Sequence, residues 1–314
     1  MLEDLKTLVW FLKKGPKFYP TMFALIFRKF RKDKDFGFKK TEIEWCKKQC
    51  ISFQDCADKL GFSSDLKDVF STNFIQGINH KLKNSKSNFG GQGHVQLLYA
   101  VCEHLKAEKV VETGVAYGWS SAAILKSIAK RTGKLISVDM PMMKQTDYHL
   151  IGVAVEKNLF KYWDLIREPD KFGLKKAITK HNNIFDVAHY DSDKSYYGRK
   201  WSQPLIWKFL RPGGIFISDD IEDNSAFREF VEENKFDYSI KIADFYFKNT
   251  AISMIDRIKK ETPVNKIGVQ NLSDTQYRVF LGPFYNINSL QKAFNDINVL
   301  QFENIEIIKN DKNN

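Results

Sequence analysis

The chain has 314 residues, 43% hydrophobic and 28% charged, enough to bury a sizeable core in one long domain or two ordinary ones. Its formal charge of +11 is uneven: residues 1–40 hold eleven Lys or Arg against four acids, so most of the basic excess is N-terminal. No apolar run approaches the ~20 residues that span a bilayer, and the first residues lack a signal peptide's apolar core and cleavage site, which points to the cytoplasm.

Residues 1–32 alternate apolar clusters (Leu8 to Leu12, Met22 to Phe27) with Lys and Arg, broken at Gly15-Pro16 and Pro20. Two readings stand. Aromatic anchors beside basic residues suit an anionic membrane surface, placing the protein at the inner membrane face. Alternatively, a helix pair packs on the main domain or on a second subunit of a homo-oligomer. Residues 40–82 read as polar helices, with Phe62-Ser63-Ser64-Asp65 as a turn and cap, which makes 1–85 a basic helical extension. The cysteines Cys46, Cys50, Cys56 and Cys102 form no C-x-x-C pair and read as reduced thiols.

Gly90-Gly91-Gln92-Gly93 leads into a helix from His94 to Leu105, and then comes the stretch on which the chain turns. Lys109 to Glu112 is a buried strand ending in an acid; Thr113-Gly114-Val115-Ala116-Tyr117-Gly118 is a tight turn; Trp119-Ser120-Ser121 opens a helix. Gly114 and Gly118 allow a sharp turn and close approach of a ligand, and Ser120 or Ser121 is placed to cap the helix. A second strand, Leu135 to Asp139, again ends in an acid. Asp139 lies 21 residues beyond Gly118, near the spacing at which a carboxylate holds ribose hydroxyls. A dinucleotide fold wants G-x-G-x-x-G, whereas Ala116 stands at the middle glycine. The E-T-G-x-x-x-G form followed by Asp139 resembles motifs I and II of class I S-adenosylmethionine-dependent methyltransferases.

From Val110 to about Asp220 strands and helices alternate, as a parallel sheet requires. Further strands are read at Trp163 to Ile166, Ile184 to Tyr190 and Gly214 to Ser218. The strand to Tyr190 runs into Asp191-Ser192-Asp193-Lys194-Ser195-Tyr196, and Pro212-Gly213-Gly214 opens a strand ending Ser218-Asp219-Asp220. If these strands are neighbours, Asp191, Asp219 and Asp220 converge, and hard oxygen ligands that close suit Mg²⁺.

These segments, with Ile221-Glu222-Asp223-Asn224-Ser225-Ala226-Phe227, resemble the bacterial metal-dependent O-methyltransferases that act on sugar hydroxyls and catechol-type phenols. The resemblance covers roughly residues 90–235. It implies a Rossmann-like, doubly wound, mostly parallel α/β sheet over residues 86–236, with S-adenosylmethionine and Mg²⁺ as cofactors. It assigns Glu112, Thr113, Gly114, Ala116, Gly118, Ser120, Ser121 and Asp139 to the cofactor. Asp191, Asp219 and Asp220 go to the metal, and Asp193 is the general base. Tyr190 and Lys194 replace His in the family pattern, and Lys194 instead orients the acceptor or serves as base. His189 reads equally as a core residue or a catalyst.

Residues 237–314 form a small module in which residues 237–310 contain a repeat at a constant offset of 39: Tyr238, Ile240, Ile242, Phe245 and Tyr246 align with Tyr277, Val279, Leu281, Phe284 and Tyr285. Each copy reads strand, helix, strand, giving a βαββαβ module. Tyr277-Arg278-Val279-Phe280-Leu281-Gly282-Pro283-Phe284 resembles the sporulation-related (SPOR) repeat, which binds denuded peptidoglycan; the preferred role here is dimerisation or acceptor choice. Class I methyltransferases usually finish their sheet with two antiparallel strands, for which Tyr238 to Ile255 is the available stretch. Either the catalytic sheet is short, or this stretch serves it.

The function expected is O-methylation of a sugar hydroxyl in a glycan or its precursor. The runner-up is a small phenolic metabolite, and a non-catalytic glycan-binding or scaffold protein is the third reading. Nucleic acid is disfavoured, because no aromatic and basic stacking surface accompanies the acids.

Overall fold

A computed structural model describes residues 2–28, 39–63, 68–85, 88–141, 148–234, 237–285 and 287–309; the Ser64-Asp65 part of the expected turn falls outside them. The chain divides into two compact units, residues 1–230 and 231–314.

The first unit begins with helices α1 (Leu2–Lys14), α2 (Tyr19–Arg28), α3 (Lys39–Gln49), α4 (Phe53–Leu60), α5 (Thr72–Leu82) and α6 (Val95–His104). The α/β segment follows as β1 (Lys109–Thr113), α7 (Trp119–Ile128), β2 (Lys134–Val138), β3 (Trp163–Ile166), α8 (Asp170–Lys180), β4 (Phe185–Tyr190), α9 (Tyr196–Phe209) and β5 (Leu210–Ser218), and the boundary between the units falls within α10 (Ala226–Glu233). All four strand pairings are parallel, in the order β3-β2-β1-β4-β5.

Both faces of this sheet are covered, which is why its strands read as near-continuous apolar runs. Val110, Leu135 and Val187 enter a core with α6 and α7, whereas Val111, Ile136 and Ala188 enter one with α8 and α9. Each large apolar side chain buried this way contributes about 1.5–3 kcal/mol. The order reverses between β1 and β4, which opens a crevice at their carboxyl ends. At the opposite end Asp186 locks the strands, accepting from the Glu108 and Lys109 N–H groups (2.8 and 2.9 Å) and from Arg211 Nε (2.7 Å).

Phe11, Phe18 and Met22 of the N-terminal segment are buried, and the Phe18 ring lies 4.4 Å from that of Phe172 on α8. Leu12, Phe23 and Phe27 stay exposed. Farther on, Glu42 of α3, itself buried, takes a forked pair of bonds from Arg228 (2.8 and 2.9 Å), and Lys39 binds Asp223 at 3.0 Å. Helix α3 therefore braces the segment just beyond β5. Among the described residues no helix is long and apolar enough to cross a membrane.

The second unit contains β6 (Tyr238–Phe245), α11 (Lys248–Glu261), β7 (Ile267–Ser273), β8 (Gln276–Phe284), α12 (Ile287–Asn298) and β9 (Glu306–Lys309). This is the expected βαββαβ order. The repeat is physical: Ala251 and Ile258 in one copy and Leu290 and Ile297 in the other are buried in one core with Ile240, Ile242, Val279 and Leu281. The antiparallel sheet runs β7-β8-β6-β9, so each copy's last strand pairs with the first strand of the other copy. Strand β6 thus belongs to the second sheet, and among the described residues the first sheet has five strands. Of the two alternatives for Tyr238 to Ile255, the short catalytic sheet is the one observed.

Candidate active site

The turn after β1 is left-handed at Gly114 (φ 80°), Ala116 (φ 51°) and Gly118 (φ 83°). Gly114 donates its N–H to Val138 O (2.8 Å), and a Cβ there would lie 2.7 Å from the Asp191 carbonyl carbon. At Gly118 a Cβ would lie 2.7 Å from Gly152 Cα, and at Gly152 one would lie 2.5 Å from the Trp163 ring. Gly152 and Ala154 donate to the carbonyls of Ala116 and Tyr117 (3.0 and 2.9 Å), so a second segment supports the turn from outside. Ala116 accepts the strain of a left-handed backbone, a cost of order 1 kcal/mol.

The cap differs from expectation. Helix α7 starts at Trp119 with Gly118 as its N-cap and no side-chain cap bond. Ser120 and Ser121 lie two and three residues beyond that cap position. Ser121 instead turns inward and donates to Glu112 Oε2 at 2.5 Å, where Ser137 also donates (2.6 Å). Glu112 is wholly buried, and His189 Nδ1 stands 3.5 Å from its other oxygen. Burial acts to lower the His189 pKa, but Glu112, Asp191 and Asp219 outweigh it and hold the imidazole above its ordinary value. His189 is therefore a buried residue beneath the strand tips, facing Glu112.

Asp139 follows β2 at the crevice, 5% exposed, and accepts the Val115 N–H at 3.1 Å. Its other oxygen pairs with Arg167. Burial pushes its pKa up, against the Arg167 charge and the Val115 bond. The carboxylate and the α7 N-terminus thus frame one crevice, as the spacing requires. An acid at the tip of the second strand and helix N–H groups beside it are the donor set that S-adenosylmethionine would need, while Gly114 and Gly118 admit the close approach of the chain's own backbone at Asp191 and Gly152.

Asp191 and Asp219 are neighbours, because their N–H groups extend the ladders to Thr113 O and Tyr190 O (each 2.9 Å). Convergence of the acids is as expected, but a protein cation lies among them. Lys194 Nζ sits 3.0 Å from Asp191 Oδ1 and contacts the Asp220 carboxylate. Burial works to lower the Lys194 pKa, and the two carboxylates overcome it and raise it. Asp219 Oδ1 accepts the Asp220 N–H (2.9 Å). Buried Arg199 donates to Asp220 O (2.8 Å) and Lys194 O (3.3 Å), fixing both segments. Among the described residues no group of three or more His, Cys, Asp or Glu is arranged to hold a metal ion. The expected Mg²⁺ set of Asp191, Asp219 and Asp220 does not fit, because the ammonium takes the place between two of its members.

Asp193 accepts from Ser195 N and Oγ (3.2 and 2.8 Å) at the N-cap of α9. Gly198 leaves room for it; any side chain there would strike the Asp193 carboxylate. Sequence reasoning missed four residues. Gly152 and Gly198 serve by having no side chain, Arg167 by partnering Asp139, and Asp170 by lying under the crevice. Ser192 Oγ bonds Asp170 and lies 2.9 Å from Thr113 Oγ1, and desolvation pushes the Asp170 carboxyl up to about 7.

A parallel sheet with a glycine turn after its first strand and an acid after its second defines a Rossmann-like fold. Residues 111–221 match the model of a family described as a methyltransferase domain. No curated protein matches the chain. Solved structures with partial likeness include an O-methyltransferase from Bacillus cereus in complex with SAH, 12% identical, covering 73% of this chain and 95% of that one at a TM-score of 0.38. Others are the SAH-bound methyltransferase PaMTH1 from Podospora anserina (13%, 74% and 98%, 0.39) and the O-methyltransferase TomG from Streptomyces achromogenes, involved in tomaymycin synthesis, in complex with SAM (12%, 74% and 100%, 0.40).

Proposed function

We propose that the chain is an S-adenosylmethionine-dependent O-methyltransferase whose acceptor is a sugar hydroxyl in a glycan or its precursor. The observation that carries the cofactor is the juxtaposition of the Gly114 to Gly118 turn with Asp139 at the switch point of the sheet. The acceptor class rests on the resemblance of the D-S-D-K-S-Y and P-G-G-x-x-x-S-D-D segments to metal-dependent O-methyltransferases, which include those acting on sugar hydroxyls and on catechol-type phenols.

The cofactor supplies an electrophilic methyl group on a sulfonium. Displacement breaks the S–CH₃ bond, forms the O–CH₃ bond and requires the hydroxyl proton to leave. Holding the acceptor oxygen in line contributes up to about 7–11 kcal/mol. Of the two acids in the D-S-D segment, Asp191 lies against the cofactor turn, and burial pushes its carboxyl above the ordinary range while Lys194 works against that. Asp193 is committed to the start of α9. We assign proton acceptance to Asp191, and to Asp193 the positioning of Lys194 through the intervening backbone.

The N-terminal helices are proposed to touch an anionic membrane surface, supported by exposed Leu12, Phe23 and Phe27 on helices that also carry Lys13 and Lys14. The C-terminal unit is proposed to serve dimerisation or acceptor choice, supported by exposed Tyr246, Phe247 and Tyr285 at the turns of its two copies.

Calorimetric titration of S-adenosylmethionine into the full chain tests the cofactor, followed by transfer of labelled methyl to sugar acceptors. Binding that Asp139→Ala abolishes supports the reading. A folded wild type that binds no cofactor sinks it.

A further inference from the structure

We propose that the Lys194 ammonium is the resident cation of the strand-tip carboxylates, and that the site holds and orients an acceptor oxygen without a divalent metal. The inference deepens the methyl-transfer reading and rests on it for the acceptor.

Three carboxylates brought together repel unless a positive charge lies among them. Asp191 and Asp219 are held on adjacent strands by backbone ladders, so they have no way to separate. Lys194 answers from within the chain, bridging Asp191 and Asp220 across the gap between the segments after β4 and β5. Its placement is built rather than incidental. Arg199 and Asn224 both bond the Lys194 carbonyl (3.3 and 2.8 Å), and Arg199 also bonds the Asp220 carbonyl, so both ends of the bridge are tied to one buried guanidinium.

The charges facing the bridge are Asp191, Asp219 and Asp220 from the strand tips, Arg199 from α9, and His189 with Glu112 from below. A divalent ion there would have to collect carboxylate oxygens at about 2.0–2.1 Å and expel the ammonium into water. The ammonium has three N–H donors; it hydrogen-bonds Asp220 and pairs with Asp191 as an ion pair at 3.0 Å, which leaves a donor for an acceptor oxygen. With its side chain 43% exposed, Lys194 can reach one.

Mn²⁺ binding followed by electron paramagnetic resonance on the full chain tests this without relying on activity. The wild type is expected to show no bound Mn²⁺ at concentrations that saturate Lys194→Ala or Lys194→Met, a gain of roughly tenfold or more in affinity. Adding Asp191→Asn to either variant should remove the gained site. Two neutral replacements are used so that a folding defect in one, seen by circular dichroism, leaves the other to read. Wild-type binding of Mn²⁺ that Asp191→Asn abolishes would overturn the proposal, and so would the absence of any gain in both folded Lys194 variants. Titration of S-adenosylmethionine on the same samples keeps the two readings apart: a folded wild type that binds no cofactor sinks the methyltransferase assignment and leaves the metal result standing.

Discussion

The backbone of Gly114 runs so close to Asp191 that any side chain at 114 would overlap the Asp191 carbonyl group. The cofactor turn and the carboxylate segment are therefore in direct contact, one strand apart, and each limits where the other can stand. Gly114→Ala adds a clash with backbone to a left-handed φ of 80°. We expect destabilisation of roughly 2 kcal/mol or more, read by urea unfolding, together with weaker cofactor binding. Unchanged stability would mean that the two segments are not in contact.

Asp139→Asn keeps the shape of the side chain and removes its charge. Cofactor affinity should fall roughly ten- to hundredfold, the scale of a charge-assisted hydrogen bond, with circular dichroism unchanged. Equal affinity in both proteins would remove Asp139 from the ribose position.

Asp170 gives a pH signature. Its folded-state pKa, about 7, stands above the ordinary 3.8, so between those values the folded chain binds more protons than the unfolded one. Stability should then decline as pH rises from about 4 to 7 and level off above. Asp170→Asn, which stays neutral throughout, should flatten that part of the curve, as measured by denaturant unfolding at a series of pH values.

Cosedimentation with vesicles tests the N-terminal helices. Anionic phosphatidylglycerol vesicles should bind the chain more than neutral phosphatidylcholine ones, salt should weaken the binding, and the double substitution Phe23→Glu with Phe27→Glu should abolish it. Equal partitioning to both lipids would leave the exposed aromatic residues without a membrane role.

Local patterns were legible wherever one element carries its own signal. The glycine turn, the acids at the strand ends and the 39-residue repeat all depend on spacing along the chain, and each is found where that spacing placed it. The cap of α7 differs from the local pattern because a serine near a helix start has two uses. Burial of Glu112 drew Ser121 inward, since an unpaired buried carboxylate costs more than an uncapped helix end.

What the sequence by itself determined is the run of elements and the identity of the acids, because hydrophobic period and turn chemistry act between residues close in the chain. Tertiary structure alone decided which cation those acids meet. Lys194 reaches Asp191 three residues away and Asp220 twenty-six residues away only because β4 and β5 pair in parallel and Arg199 ties their tips together. Charge balance in a crevice is settled by distance in space, and spacing along the chain does not encode it.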